Sequence, residues 1–475
     1  MASASSAELT RLFAARAWIG GAWASDVLLD VDARGNWSSI KVQVESAERA
    51  GATVLHGPVL PGLVNAHSHA FQRCIAGLTE RRDANGVGAT DDFWSWRDRM
   101  YSAAKRVTPE QMQSIATFLY TELLAGGYTH VCEFHYLHND LDGKPYAEPA
   151  EMSLALVRAA QASGIGLTLL PTLYMRSGFG ASGLREDQRR FASTPERLLR
   201  LVERVERQAE PGGQINVGLA IHSLRAVDPG ALEELVAGGG RRPIHIHIAE
   251  QQQEVADCIA HTGQRPIEWL LDHANPDARW SLVHATQATA QELKGIAQCG
   301  AQVVICPSTE ANLGDGVFDL PGYAAAGGRW SIGSDSHVCR DWAQELQLLE
   351  YSQRLTLRQR NVAARVLGHE SSAAGLFEAA LAGGAQASGR NLGGLAVGLR
   401  ADFIVLNPDA PALLGLPADH ALDALVFAGS AGAVGQTWVA GRCVQDMQAG
   451  APLSPGSSPG PTERYRMAMA QLWSA

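Results

Sequence analysis

Through the middle of the chain, short apolar runs alternate with longer stretches whose apolar residues recur at helical spacing. Eight of the short runs have strand-like length and β-branched content: PVLPGLVNAHSH, GYTHVCEFHY, GIGLTLLPTLY, INVGLAIHSL, RPIHIHIAE, WSLVHAT, AQVVICPS and RWSIGSDSH. Stretches such as ERLLRLVERVERQ and TAQELKGIAQ carry the helical pattern between them. This alternation predicts an α/β fold of parallel strands with covering helices, and eight units predict a closed (β/α)8 TIM-like barrel. The competing architecture is an open doubly wound sheet, but no G-x-G-x-x-G turn opens the series.

Both chain ends have a different texture. Residues 10–56 read as short strands divided by Gly20-Gly21 and by Arg34-Gly35-Asn36, and residues 397–446 return to that texture with ADFIVLN and QTWVAGRCV. The expectation is a small discontinuous β-sandwich domain from 1–57 and 396–450, flanking a barrel over 58–395. Residues 451–475 read as a Pro/Ser/Gly linker followed by a short amphipathic helix.

Composition narrows the function classes. At 475 residues the chain has room for about three average domains, or for one large barrel and a small companion. Charged residues are 19% and hydrophobic ones 46%, which calls for a large buried core. Thirty-nine basic against 49 acidic residues give a net charge of -10, with no basic block, so nucleic acid and anionic membrane are excluded as partners. Small anions stay open, because a few placed arginines suffice to hold them. The 7 cysteines include no C-x-x-C, which fits reduced thiols. With no secretory signal and no run of about eighteen apolar residues, a cytoplasmic location is expected.

The candidate chemistry sits at the strand ends, where barrels build their active sites. His67 and His69 end the first strand, Glu133 and His135 the second, and His222 and Arg225 follow the fourth. His245, His247 and Glu250 belong to the fifth, His284 to the sixth and Asp335 to the eighth. Residues i and i+2 of a strand share a side, so His67 and His69 can reach one ion. His247 and Asp335 complete three nitrogens and one carboxylate oxygen, a set suited to Zn²⁺, although N/O donors equally admit iron. His245 lies one layer deeper and reads as a hydrogen-bonded core histidine. No lysine lies in the fourth strand (Lys144 and Lys294 fall outside strands), so the bridging carboxylated lysine of a two-metal site has no source. One metal per subunit is expected, although a carboxylate such as Glu133 could still bridge a second.

Hydrolysis at a trigonal carbon needs a base for the water proton and an acid for the departing nitrogen. Asp335 is the candidate base. His284 is placed to orient the nucleophile, and Glu250 to protonate the leaving group. The plain structural reading of Glu250 is a solvated carboxylate at a helix start.

At these residues the chain resembles the amidohydrolase superfamily, over about residues 55–445. The resemblance rests on PGLVNAHSHAFQR, HIHIAEQ, LVHAT, GSDSHV and the closing run GGLAVGLRADFIVLNPD. The H-x-x-E motif with one histidine at the sixth strand resembles its mononuclear deaminase branch. CEFHYLHND, IHSLRAV and CPSTEANLGDGVFDL resemble the members of that branch that act on a formimino group. The resemblance implies His67, His69, His247 and Asp335 as metal ligands, with Glu250 and His284 catalytic. It implies Gln72, Arg97, Tyr136, His222 and Arg225 as substrate contacts, in a homodimer. The implied reaction converts N-formimino-L-glutamate to N-formyl-L-glutamate and ammonia, and two arginines match the two carboxylates of that substrate. Arg99 is as readable as Arg97 in DDFWSWRDRMY. The aromatic residues Phe93, Trp94, Trp96 and Tyr101 read either as a lid or as an anchor for a long loop. The stretch from Asn312 to Gly316 reads as a turn. The alternative activity is a nucleobase or triazine-type deaminase, and the non-enzymatic alternative is a barrel kept as an interaction scaffold.

Overall fold

A computed structural model of the chain describes residues 10–81, 93–209, 213–429, 432–447 and 459–473. Five strands come first: β1 (Thr10–Ile19), β2 (Ala22–Val31), β3 (Trp37–Lys41), β4 (Thr53–Leu55) and β5 (Val59–Pro61). Nine short parallel strands follow, β6 (Leu63–Ser68), β7 (Tyr128–His135), β8 (Gly166–Leu173), β9 (Ile215–Val217), β10 (Leu219–Ile221), β11 (Ile244–Ile248), β12 (Trp280–His284), β13 (Gln302–Ile305) and β14 (Arg329–Ile332). The last three are β15 (Phe403–Leu406), β16 (Val434–Val439) and β17 (Arg442–Asp446).

The strands from the two ends of the chain form one continuous hydrogen-bonded sheet, ordered β17-β16-β15-β5-β1-β2-β3 with β4 beside β1. It is not divided into two separate sheets, but its strands enclose a core of their own that includes Leu12, Val27, Leu29, Trp37, Phe403 and Val405. Gly20 and Gly21 both have positive φ and pair Ile19 with Ala22, the two-residue turn that twists with its strands. The run PVLPGLVNAHSH is not one strand. Its first part, β5, pairs with β1 and β15, and its second part, β6, with β7. Gly62 makes the handover, since a Cβ there would stand 2.2 Å from the Thr129 side chain.

The parallel strands run in the order β6-β7-β8-β10-β11-β12-β13-β14, with β9 beside β8. The expected fourth strand is thus split at Gly218. Closure happens at the residues of greatest chemical interest. Ser68 bridges Asp335, the Asp335 N–H donates to the His67 carbonyl (3.0 Å), and the His69 N–H donates to the Asp335 carbonyl (3.3 Å).

Helices Pro109–Ala125, Pro195–Glu206 and Pro229–Gly238 begin with proline behind Thr108, Thr194 and Asp228, whose side chains accept the first free N–H groups. The last helix, Pro461–Trp473, packs on Pro109–Ala125: Tyr465 stacks on Phe118 at 4.3 Å, and Arg73 donates to its hydroxyl (3.2 Å). The linker proposed between residues 451 and 458 lies outside the described residues. Among the described helices, none is long and apolar enough to cross a membrane.

Candidate metal centre and active site

Three imidazoles converge where the barrel closes. The Nε2 atoms of His67 and His69 are 3.1 Å apart, those of His69 and His247 3.3 Å, and those of His247 and His67 3.0 Å. Asp335 Oδ1 lies 3.3 Å from both His67 and His69 Nε2. The tautomers explain why this cluster fits a cation. His69 Nδ1 lies 2.8 Å from the Phe134 carbonyl, and His247 Nδ1 lies 3.0 Å from the His222 carbonyl. A carbonyl only accepts, so each Nδ1 carries the proton and each Nε2 is left with a bare lone pair. Lone pairs facing each other at 3.3 Å repel unless a positive ion lies between them. A tetrahedral zinc with nitrogen at ~2.0–2.1 Å spaces its donors by roughly 3.3 Å, so the donor set and its spacing both fit. Burial pushes His67 down to about 3, which keeps it in the neutral, ligating form. Burial works against the Asp335 carboxylate, but His67, His69 and His284 outweigh it and hold the group below the usual carboxylate range.

Glu133 and His135 stand apart from this centre. Glu133 accepts from Ser68 Oγ (2.6 Å), the Ala70 N–H (2.6 Å) and the Tyr120 hydroxyl (3.3 Å). It clamps the turn that carries His67 and His69. Burial pushes it up to about 8. His135 packs edge-on against His138 instead. His245 Nε2 donates to the Ala387 carbonyl (2.9 Å), as a core histidine should.

Beside the cluster, His284 ends β12 with its ring parallel to that of His247, the centroids 5.6 Å apart. Its Nε2 lies 3.7 Å from Glu250 Oε1 and 3.8 Å from Asp335 Oδ2. Its φ of +71° and the +47° of Asp335 are left-handed, strain of the kind held at functional sites by dense surroundings. Burial alone would lower His284, yet Glu250, Cys306 and Glu310 hold it well above the usual imidazole value. Glu250 is buried and not solvated. Burial pushes it up to about 7, and its N–H donates to Glu254 (3.0 Å).

A cleft of about 650 Å³ opens onto these groups. Every residue expected to touch substrate lines it: Gln72, Arg97, Tyr136, His222 and Arg225. Gln72 donates to the Tyr136 hydroxyl (3.2 Å). Arg99 is elsewhere, donating to the Leu78 and Arg81 carbonyls. The aromatic stretch lies on a helix, Phe93–Ala104, of which Trp96, Arg97, Met100 and Tyr101 give the cleft one wall. The side chains of Phe93 and Trp94 lie outside the described residues. Tyr174 and Arg176, which carried no expected role, also line the cleft, as does Leu313, read as part of a turn but placed at the end of the helix Pro307–Leu313. Arg176 donates to the Leu224, Arg225 and Val227 carbonyls (2.9–3.1 Å), so it holds the loop that carries Arg225. Only packing between strands reveals that contact.

A family model described as the amidohydrolase family matches residues 59–444. The chain belongs to the amidohydrolase family. A formimidoylglutamate deiminase from Pseudomonas aeruginosa is 47% identical over 92% of this chain and 94% of its own length. A 5-methylthioadenosine/S-adenosylhomocysteine deaminase from Halobacterium salinarum is 26% identical over 78% of this chain and 76% of its own. The crystal structure of an amidohydrolase from Brucella melitensis superposes with a TM-score of 0.88 at 41% identity, covering 98% of this chain and 99% of that one. An adenosine deaminase from Xanthomonas campestris, solved with bound zinc, shares the fold at a TM-score of 0.78 and 21% identity over 98% and 99% of the two chains.

Proposed function

We propose that this amidohydrolase is a metal-dependent deiminase of histidine breakdown, converting N-formimino-L-glutamate and water to N-formyl-L-glutamate and ammonia. The observation that carries the reading is the sharing of one cleft by a three-histidine, one-carboxylate cluster, Glu250, and the arginines Arg97 and Arg225. The 47% identical deiminase supports it.

His67, His69, His247 and Asp335 would hold a single zinc ion, with iron the other candidate. Bound there, the ion supplies Lewis acidity that makes water nucleophilic near a pH of about 7. Asp335 Oδ2 takes the proton of the attacking water. A C–O bond forms at the formimino carbon as the C=N pair moves onto nitrogen. His284 Nε2 steadies the oxygen. Glu250 Oε1 delivers a proton to that nitrogen, and the proton held by Asp335 follows. The C–N bond then breaks, ammonia departs, and the added hydroxyl returns its proton to Glu250 as the formyl carbonyl forms. Arg97 and Arg225 bind the two substrate carboxylates, while Gln72, Tyr136 and His222 position the chain between them.

The proposal includes a cytoplasmic homodimer, and a single-chain mass by light scattering would remove that part. The activity test is ammonia release by zinc-loaded protein across N-formimino-L-glutamate, guanine and adenosine derivatives. Release from the first alone is expected. Release from the purines alone would shift the assignment to a nucleobase deaminase, and a protein that binds no metal would point to a scaffold.

A further inference from the structure

Glu310 belongs to the motif CPSTEANLG, and nothing in the hydrolysis above uses it. It lies in the first turns of the helix Pro307–Leu313, which follows β13, and its side chain reaches across to the end of β12. Glu310 Oε1 is 3.3 Å from His284 Nδ1 and accepts the Cys306 N–H at 2.9 Å. Both side chains are nearly sealed, at 4% and 1% exposure. A buried carboxylate held by a backbone N–H is a fixed acceptor. The imidazole nitrogen facing it therefore carries a proton, and the opposite nitrogen faces Asp335 Oδ2 and Glu250 Oε1.

We infer that Glu310 is a positioning residue that holds the Nδ1 proton and the ring orientation of His284 for attack at the formimino carbon. This inference rests on the role proposed for His284. The Cys306 sulfur also lies within 4.8 Å of these two ligand atoms, so the trio has the composition of a second metal site. The mutual hydrogen bonding accounts for it without an ion: Glu310 Oε1 is already shared between the Cys306 N–H and the imidazole.

The test is a double-mutant cycle on zinc-loaded enzyme with Glu310→Gln, His284→Ala and the pair. Glu310→Gln should lower kcat by about 10–100-fold, the usual effect of losing such an outer partner, with KM within about twofold and one zinc per chain retained. In the His284→Ala background the same substitution should cost almost nothing further. An equal loss in both backgrounds, a loss confined to KM or to Tm, or two metal ions per chain in the wild type would each overturn the inference. A second readout is independent of substrate. The ¹⁵N-edited spectrum should show a downfield Nδ1–H resonance that disappears in His284→Ala and shifts in Glu310→Gln and Glu310→Asp. An Nδ1 that carries no proton in the wild type would overturn the inference even if turnover falls. Wild-type protein that is inactive on N-formimino-L-glutamate would sink the functional reading, whereas the resonance would still report on the Glu310–His284 pair.

Discussion

The mouth and the floor of the barrel both bury histidines, and they treat them in opposite ways. At the floor, His245 meets the Ala387 carbonyl, while His130 lies 2.8 Å from Thr168 Oγ and 3.2 Å from Arg400. Each imidazole faces a complementary partner, which is how buried polar groups are normally satisfied. At the mouth, His67, His69 and His247 turn their Nε2 lone pairs on one another. Their outer nitrogens are well satisfied where Phe134 and His222 offer carbonyls. His245 and His247 show the contrast on a single strand, two residues apart. The same residue type thus stabilises the fold where its partners complement it, and prepares a reactive centre where they do not.

The sharpest way to break this contrast is to substitute one residue from each end. Asp335→Asn should cut kcat by at least about 10³-fold while leaving Tm near wild type. His245→Ala should do the reverse, costing about 2–4 kcal/mol of stability through a lost hydrogen bond and a cavity, with kcat of the folded enzyme little changed. Full activity in Asp335→Asn, or a silent folded His245→Ala, would merge the two regions.

Metal removal sharpens the same point. Chelation should abolish turnover and lower Tm, because the facing lone pairs lose the cation between them. At metal concentrations of about 100–1,000 times Kd the difference is about 2.7–4.1 kcal/mol. A chelated enzyme with unchanged Tm would mean that the cluster tolerates its own repulsion.

Next in size is carboxylate recognition. Arg225→Ala and Arg97→Ala should each raise KM by about 10–100-fold, the worth of one charged hydrogen bond. Arg99→Ala, whose side chain only ties down the Leu78 and Arg81 carbonyls, should stay within about threefold. Equal effects of Arg97 and Arg99 would contradict the cleft geometry.

The smallest effect concerns Glu133, the clamp beneath the mouth. Its folded value is raised to about 8 by burial, so the protonated form is favoured by folding. Its stabilising contribution is complete below the ordinary carboxylate range and is lost as pH rises through about 8. Tm should therefore decline over that window, and the decline should be shallower in Glu133→Gln. Parallel profiles would show that the pH dependence arises elsewhere.

The predictions differ in how much of their basis the linear chain displays. His67 and His69 declare themselves through a two-residue spacing, and H-x-x-E places Glu250 three residues after His247. The arginines are less legible, since Arg97 and Arg99 sit in one short segment. Helix Phe93–Ala104 decides between them by turning Trp96, Arg97, Met100 and Tyr101 to the cleft. The barrel strands are legible as apolar runs. The breaks at Gly62 and Gly218 are not, because each depends on what stands opposite the missing side chain: Thr129 for the first, Leu170 and Pro243 for the second.

What the sequence determined by itself is whatever period and proximity encode. That covers the alternation that makes a barrel and the strand-end positions of ligand-type residues. Tertiary structure alone decided where a side chain's second atom goes. It turned Glu133 away from the metal cluster to clamp its turn, set Arg176 behind Arg225, and brought Glu310 from the next strand's helix to His284 Nδ1. These contacts join residues 26 to 65 positions apart on neighbouring strands. Their partners are fixed by burial and by the strand register at which the barrel closes, and no local spacing records either.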